Sequence, residues 1–539
     1  MGNGGWKVMA VLGAAQFLMV LDQAVMNVSI SQLVADFDTE VTTIQAVITF
    51  YSLVMAALMI AGGKLGDLLG RRRAFGIGHA IYGAGSLLTA ISWSVPVLTL
   101  GWSVLEGIGA ALVLPALAAL TARSFEGQAR ALAYGVLGGV SGAGIAVGPI
   151  VGGWATTYLS WRVVFAGEVL VVLFILFGLR WIATDRGREG AELDWVGAVL
   201  SALGLAAIVL GVLRASSWGW VQDKNSPIAP FGFSLTPFLV AGGAGLLAVF
   251  AWWQRRREAA EREPLVHLRL LSVPTLRGGL VAFLFQNLIL MGIFFAIPLY
   301  LQIVLGLNAF DTGVRMLPVS VALFVTALLG SRLSRRLAPR TIVRAGFGLL
   351  VVASLLLLAT IEPELQRPQF AIAMACFGVA MGLIVSQLGN VVQSAVGEDD
   401  RGEAGGLQYT SQQLGASLGT ALIGAVVISL LASSFAAKVE SNPQISAAVK
   451  DQVGVRLESD VSFVSADQVE ASAQKAGVSS AETQALVDDY ADSQLWALKT
   501  GLLVAALLSC AAFLATGSLP GRPAGRAPPT QPEGELAVA

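Results

Sequence analysis

The chain has 539 residues, 55% of them hydrophobic and 13% charged, with a net charge of −1 and a mean hydropathy of +0.73. Soluble domains carry about 25% charged residues, so a water-facing globule is excluded and a lipid-facing surface implied, while the neutral balance leaves no electrostatic footprint for nucleic acid. Cys376 and Cys510, like His79 and His267, stand far apart, which supplies neither a disulfide framework nor a metal-ligand spacing.

A membrane helix needs about 20 largely apolar residues, because the hydrocarbon core is about 30 Å thick and each residue rises about 1.5 Å. Fourteen stretches satisfy this. The first, near 8–30, follows Lys7 but has no A-x-A-like cleavage site, so it is expected to stay as a span rather than leave as a signal peptide. It carries Asp22 and, five residues on, Asn27. A carboxylate at mid-depth costs about 2.5–3.5 kcal/mol, so Asp22 should face a cavity or a partner. It is either a proton carrier or a carboxyl hydrogen-bonded to a neighbouring helix.

Spans near 44–63 and 74–94 are joined by GGKLGDLLGRRR, Gly62 to Arg73, in which Gly63 and Gly70 suit a tight turn and Asp67 lies among Lys64, Arg71 and Arg72. The fourth span, near 96–122, contains Glu106. The fifth, near 131–154, contains Gly144, Gly148, Pro149, Gly152 and Gly153. Small residues three or four apart let helix backbones approach, and Pro149 can bend the helix. The sixth, near 163–182, contains Glu168, which belongs either to an interior cavity or to the outer interface, where it would be inert.

Two linker spans follow near 193–214 and 236–254, and then the basic connection Arg255 to Arg277. The last six lie near 277–303, 311–330, 341–361, 368–392, 407–432 and 495–516. Asp311 and Arg315 have the i,i+4 spacing of a local ion pair. Gln286, Asn287, Gln408, Gln412 and Gln413 offer hydrogen bonds to a substrate, and Phe294, Phe295 and Tyr300 add aromatic surface. The only long hydrophilic insertion is 433–494, where Ser465 to Gln468 and Ser479 to Glu482 fit capping boxes and Gly477 a stop. Two or three short helices forming an outer cap are expected, the alternative being a disordered loop. The Pro- and Gly-rich tail 517–539 is expected to be disordered. The resulting division is a six-span bundle over 1–190, two linker spans over 191–262, five spans over 263–432, the outer loop 433–494, a last span over 495–516 and the tail. With the N-terminus inside, 24 of the 34 cationic residues fall in inner segments, which places both termini in the cytoplasm of a multi-pass bacterial inner-membrane protein.

The pattern Gly63-x-x-x-Asp67-x-x-Gly70-Arg71-Arg72 after the second span resembles the signature loop of the major facilitator superfamily. Gly330 to Arg336 is a weaker echo in the second half, with Ser334 where Asp67 would stand. Gly144-x-x-x-Gly148-Pro149-x-x-Gly152-Gly153 resembles the motif that marks antiporters there, and Leu21 to Val28 resembles the first-span motif. Six spans, two linker spans and six more are similar to the fourteen-span drug:proton antiporter family. The resemblance implies an all-α polytopic membrane protein with two six-helix bundles and two extra linker helices. It implies no enzyme and no cofactor, but export of amphipathic, cationic small molecules by proton antiport and alternating access, with protons, a small-molecule or lipid substrate and membrane lipids as partners.

Two stretches depart from that family. Ser103 occupies the place of a usual arginine and Glu106 that of a glutamine, while Trp161 to Glu168 ends in an acid where asparagine is usual. Either Glu106 and Glu168 are extra proton carriers or cation binders beside Asp22, or coupling is altered by the missing arginine. Three acids sharing one cavity would favour cationic lipophilic substrates and repel one another. Flipping of a lipid or glycolipid by the same fold is the alternative function. A membrane enzyme or non-transporting sensor is remote, since no GxxxxGK[ST] loop and no His-rich cluster is present.

Overall fold

In lipid a lone chain segment satisfies its backbone polar groups only as a helix, and the apolar stretches are helices throughout the computed structural model, which describes residues 3–125, 127–184, 193–333, 336–365, 367–397, 400–451, 453 and 463–521. The first bundle contains α1 (Asn3–Val28), the short α2 (Ile30–Asp36), α3 (Val41–Leu69) and α4 (Arg71–Ala90). It continues with α5 (Val95–Leu98), a π-helical segment (Thr99–Glu106), α6 (Gly107–Ser124), α7 (Gly127–Tyr158) and α8 (Trp161–Gly178). A hairpin of α9 (Trp195–Trp218) and α10 (Leu235–Ala259) follows. The second bundle comprises α11 (Pro274–Leu299), α12 (Ala309–Leu333), α13 (Pro339–Ala359), α14 (Arg367–Ser394), α15 (Arg401–Ser441) and, after the short α16 (Ala466–Lys475), α17 (Ser480–Ala515).

Among the described residues, twelve helices are long and apolar enough to cross a membrane. α4 and α7 are not among the twelve, but they run 20 and 32 residues inside the same bundle. A total of fourteen is compatible with this arrangement. The linker helices pack on each other, and α9 lies against both α3 and α15. Asp194 fastens them. Its carboxylate accepts from Gly197 N at 3.0 Å, Trp253 Nε1 at 2.9 Å and Gln254 Nε2 at 2.8 Å. Gln254 Oε1 in turn accepts from Leu265 N at 2.7 Å, which ties the hairpin to the strand of chain entering the second bundle.

The two bundles meet along α7–α12 and α3–α15. Polar contacts between them concentrate toward the end opposite the N-terminus. Gln302 Nε2 donates to Val28 O at 2.9 Å while its Oε1 accepts from Ser31, Phe310 N donates to Thr157 Oγ1 at 3.0 Å, and Gln45 Nε2 donates to Thr420 O at 2.8 Å. At the other end an open cleft lies between Gly63, Lys64 and Arg71 on one side and His267, Glu403 and Gly406 on the other. Lys64 Nζ meets Glu263 Oε2 at 2.6 Å beside it.

Three expectations are corrected. The segment Gly62 to Arg73 is hardly a loop: α3 runs to Leu69, α4 starts at Arg71, and Gly70 alone turns the chain with φ +88°. Gly63 is helical, and a Cβ there would meet only Pro115 Cβ at 3.6 Å. The fourth span is not one regular helix but is interrupted by the π segment. The outer segment begins and ends within the span helices, since α15 continues to Ser441 and α17 begins at Ser480; between them the described residues hold a short helix at 447–451 and α16, with the expected capping box of Ser465 and Gln468. Residues 185–192, Ser334, Arg335, 454–462 and 522–539 lie outside the described residues, as does the side chain of Asp67.

Candidate functional site: a buried carboxylate trio

The fourth span approaches α4 at backbone contact because two glycines face each other. A Cβ on Gly85 would lie 2.7 Å from both Glu106 Cγ and Gly101 O, and one on Gly101 would lie 2.7 Å from Thr89 Oγ1. Widened π turns of this kind often mark functional sites. This one delivers Trp102 and Glu106 into the bundle interior, both buried.

Two helices and the π segment then converge on one point. Asp22 from α1, Glu106 from the π segment and Glu168 from α8 each present an oxygen, and these atoms lie within 4.8 Å of one another. Asp22 and Glu106 are wholly inaccessible to solvent and Glu168 is 2% exposed. Each carboxylate has one oxygen satisfied: Trp102 Nε1 donates to Asp22 Oδ1 at 2.7 Å, Thr89 Oγ1 to Glu106 Oε1 at 3.3 Å, and Ser86 Oγ to Glu168 Oε2 at 3.1 Å. The second oxygens, Asp22 Oδ2, Glu106 Oε2 and Glu168 Oε1, have no hydrogen-bond partner. Tyr51 stacks on Trp102 with centroids 4.4 Å apart and faces Asp22, while Tyr82 faces all three acids. Neither hydroxyl reaches hydrogen-bonding geometry.

No lysine, arginine or histidine pairs with the trio among the described residues. At this spacing, two unit charges repel by about 3–4 kcal/mol at an effective dielectric near 20, and the desolvation of each adds to that. Three bare charges are therefore not sustainable. The arrangement is chemically suited to holding protons or a cation. It has no nucleophile–base pair of the kind that performs covalent chemistry.

Of the expected site residues, the structure joins Asp22, Glu106 and Glu168 and removes Glu168 from any outer interface. It does not open them onto the cleft, whose lining contains none of the three. In this conformation the trio is sealed, contrary to the expectation of a wet cavity. Ser103, in the arginine's place, donates to Val47 O at 2.9 Å and pins the π segment to α3. Asn27 turns back on its own helix, donating to Gln23 O at 2.7 Å.

Asp311 and Arg315 form no ion pair. Asn308 Nδ2 donates to Asp311 Oδ2 at 3.0 Å and Asp311 N donates to Asn308 Oδ1 at 2.8 Å, so the acid is used in a reciprocal cap at the start of α12. Arg315 is half-buried with its Nε unpartnered. Phe294, Phe295 and Tyr300 are core residues, and Tyr300 donates to Glu362 O at 2.6 Å. Asn287 donates to Phe283 O at 3.1 Å on its own helix, Gln286 is buried, and Gln413 is buried with Oε1 unpartnered; Gln408 and Gln412 are half-buried.

The glycines of α7 serve two interfaces. A Cβ on Gly144, Gly148 or Gly152 would meet Val20, Ala24 or Val25 of α1 at 2.9, 2.4 and 2.9 Å. On the other side a Cβ built on Gly153 would lie 2.4 Å from Ala309 O, and one built on Gly313 2.1 Å from Pro149 O. α7 thus wedges between the acid-bearing α1 and the second bundle. Near the end opposite the N-terminus, Asp36 takes hydrogen bonds from Gln32, Trp161 and Arg162. Partial burial alone would raise its carboxyl; these donors and the arginine's charge outweigh it and hold the group below the usual carboxylate range.

Sequence reasoning missed Trp102, Tyr51, Tyr82, Ser86 and Thr89. The signal that existed was scarcity: the chain has seven tyrosines, and two of them lie in apolar spans beside the acids.

The chain matches the sequence profile of the Major Facilitator Superfamily over residues 12–420. It is 33% identical to a puromycin resistance protein of Streptomyces alboniger, over 78% of this chain and 81% of that one. It is 28% identical to a tetracenomycin C resistance and export protein of Streptomyces glaucescens, over 84% and 82%, and 29% identical to a multidrug efflux pump of Mycolicibacterium smegmatis, over 83% and 86%. Among solved structures, an inward-facing, unoccupied bacterial homolog of the human lysosomal transporter Spinster superposes with a TM-score of 0.61 at 14% identity, covering 96% of this chain and 98% of that one.

Proposed function

The chain belongs to the Major Facilitator Superfamily, and from that premise we propose that it exports amphipathic, cationic small molecules in exchange for protons, by alternating access across a bacterial inner membrane. The antibiotic resistance, export and multidrug efflux named for its relatives support the outward direction and a drug-like cargo. The observation that carries the coupling is the trio of Asp22, Glu106 and Glu168, buried together without a countercharge. Such a group must gain and lose protons as its surroundings open and close. Each proton entering down a 100 mV potential supplies about 2.3 kcal/mol, and a monovalent cation leaving consumes the same amount, so accumulation is driven by the pH gradient or by a second proton per cation.

The trio is sealed from the cleft, so coupling passes through packing rather than through a shared surface. Asp22 holds Trp102, Trp102 stacks on Tyr51, and Tyr51 lies on α3 between Gln45 and Leu53, whose neighbours are on α15. A change of charge in the trio thereby reaches the interface at which the bundles rock. The signature segment Gly63, Asp67, Gly70, Arg71 and Arg72 sits at the cleft end, with the termini on the cytoplasmic side. The cleft then faces the cytoplasm, ready to load.

Everted vesicles that have accumulated protons test this reading. They should release them when ethidium or a quaternary ammonium compound is added, and Asp22→Asn or Glu106→Gln should abolish the release while leaving the protein in the membrane. Release that persists at the wild-type rate in both variants would remove the acids from the mechanism. Release with a glycolipid and none with cations would assign the flippase function instead.

A further inference from the structure

The three unpartnered oxygens of the trio are not isolated defects. Buried polar atoms are almost always satisfied, yet here three carboxylate oxygens and two phenolic hydroxyls, all on one pocket and all inaccessible, have no partner. They come from α1, α3, α4, the π segment and α8, so no single helix can be relieving local strain. Three carboxylates with ligand oxygens within 4.8 Å of one another, faced by the buried, unpartnered phenols of Tyr51 and Tyr82, supply the oxygen donors that a hard cation takes.

The dimensions agree. Three oxygens no more than 4.8 Å apart lie within about 2.8 Å of a common centre, that separation divided by the square root of three. Calcium takes oxygens at about 2.3–2.6 Å in irregular geometry, while magnesium demands an octahedron at about 2.0–2.1 Å. A slight contraction therefore suits an ion of calcium or sodium radius, and a magnesium ion would need a larger rearrangement. Trp102 Nε1 occupies Asp22 Oδ1, Ser86 occupies Glu168 Oε2 and Thr89 occupies Glu106 Oε1. These contacts fix each carboxylate through one oxygen and leave its other oxygen without a partner, as supporting hydrogen bonds do around metal sites.

We infer that Asp22, Glu106, Glu168, Tyr51 and Tyr82 form a binding site for a dehydrated metal cation of sodium or calcium size inside the first bundle. This deepens the proposed function and rests on it for the site's part in transport, because an ion here replaces protons on the same carboxylates. Binding itself requires only the geometry.

The test uses the purified full-length transporter in nanodiscs at pH 8, in a choline chloride background of constant ionic strength. Sodium, calcium, potassium and magnesium chlorides are titrated separately, and the thermal midpoint and tryptophan fluorescence are followed. A saturable response to sodium or to calcium is expected, at concentrations at least about tenfold lower than for potassium or magnesium. A sodium response identifies a monovalent site that retains protons beside the ion, and a calcium response a divalent one. Glu106→Gln and Glu168→Gln should each abolish saturation, and Tyr82→Phe should weaken binding several-fold while all three acids remain. The midpoint in choline alone shows whether each variant is folded. For any that is not, radioactive sodium or calcium bound by wild type and by Tyr82→Phe supplies the same comparison.

A response that never saturates, or one equal in the Glu106→Gln/Glu168→Gln double variant, overturns the site. Drug-induced proton release measured in sodium- and calcium-free vesicles is scored separately. Release without ion binding sinks only this inference, and ion binding without drug-induced release sinks only the export reading.

Discussion

Each acid of the trio keeps one ordinary hydrogen bond and leaves one oxygen unused, and that division depends on residues with no charge. Gly85 is the clearest case. Its missing side chain leaves room for Glu106 Cγ, 2.7 Å from where a Cβ would be, with the Gly101 carbonyl equally close. Backbone cannot yield as a side-chain tip can, so Gly85→Ala should destabilise by about 1–3 kcal/mol and abolish transport. Gly139→Ala, with nothing within 4 Å of the new methyl, should leave thermal midpoint and drug resistance unchanged; equal behaviour of the two variants would refute the packing argument. Tyr51→Phe removes only a hydroxyl from the sealed pocket, so it should leave drug binding intact while reducing drug-induced proton release, and a parallel loss of both would count against coupling through α3. A different residue governs acid sensitivity. Asp36 is held below the usual carboxylate range by Gln32, Trp161 and Arg162 against the effect of its partial burial. Its stabilisation is therefore present above the ordinary value of about 3.9 and is lost as pH falls through the lowered native value. Thermal midpoints of wild type and Asp36→Asn should differ at pH 7 and converge as the pH falls through that lowered value, and a gap that grows with acid would reverse the assigned sign.

Among the elements, α7 and the α9–α10 hairpin show how differently sequence discloses position and purpose. Span positions were legible because apolar length is written directly in composition: the stretches expected near 236–254 and 341–361 are α10, Leu235–Ala259, and α13, Pro339–Ala359. The ends of α15 and α17 were not, because a helix that leaves the hydrocarbon becomes polar without ceasing to be a helix, so hydropathy stops at 432 where the structure continues to Ser441. The π segment was illegible for another reason. It arises from the meeting of Gly85 and Gly101 on separate helices, a tertiary fact that no local periodicity contains. Likewise the acids stood out singly as charges in apolar runs, whereas their convergence, and the phenols of Tyr51 and Tyr82, required knowledge of which helices are neighbours. Asp311 and Arg315 looked like a pair from spacing alone, but Asn308 competes for the acid at the helix start. The hairpin gives a sharp test of buried polar fastening. Asp194 is 2% exposed and joins Gly197, Trp253 and Gln254, so Asp194→Ala leaves three donors unsatisfied and should cost about 2–4 kcal/mol. Limited proteolysis should then cut near Glu261 to Pro264 faster than in wild type, and an unchanged pattern would show that apolar packing alone holds the hairpin.

Across the whole molecule the two ends are built unequally, and that asymmetry defines a working state. Toward the end opposite the N-terminus, Gln302 bridges Ser31 and Val28, Thr157 accepts from Phe310, and glycines of α7 and α12 bring backbones into contact. Most of these contacts use carbonyls, amides and neutral side chains, which part at modest cost where water can replace them. The opposite end carries the cleft, the ion pair of Lys64 with Glu263 and the contact of the His267 ring with Glu403. Alternation requires the first set to part while the second end closes, in rigid-body fashion. A disulfide placed across the closed end therefore stops the cycle without touching either the trio or the cleft. In a background with Cys376→Ser and Cys510→Ser, the pair Thr157→Cys and Phe310→Cys lies where Thr157 Oγ1 and Phe310 N are already 3.0 Å apart. Oxidation should form the cross-link in nearly every molecule and abolish drug-induced proton release from everted vesicles, and dithiothreitol should restore it. Drug binding from the cleft side should survive oxidation, because the locked form is the one with that cleft open. Full export by the cross-linked protein would mean that this end never opens, and that substrate leaves by another route.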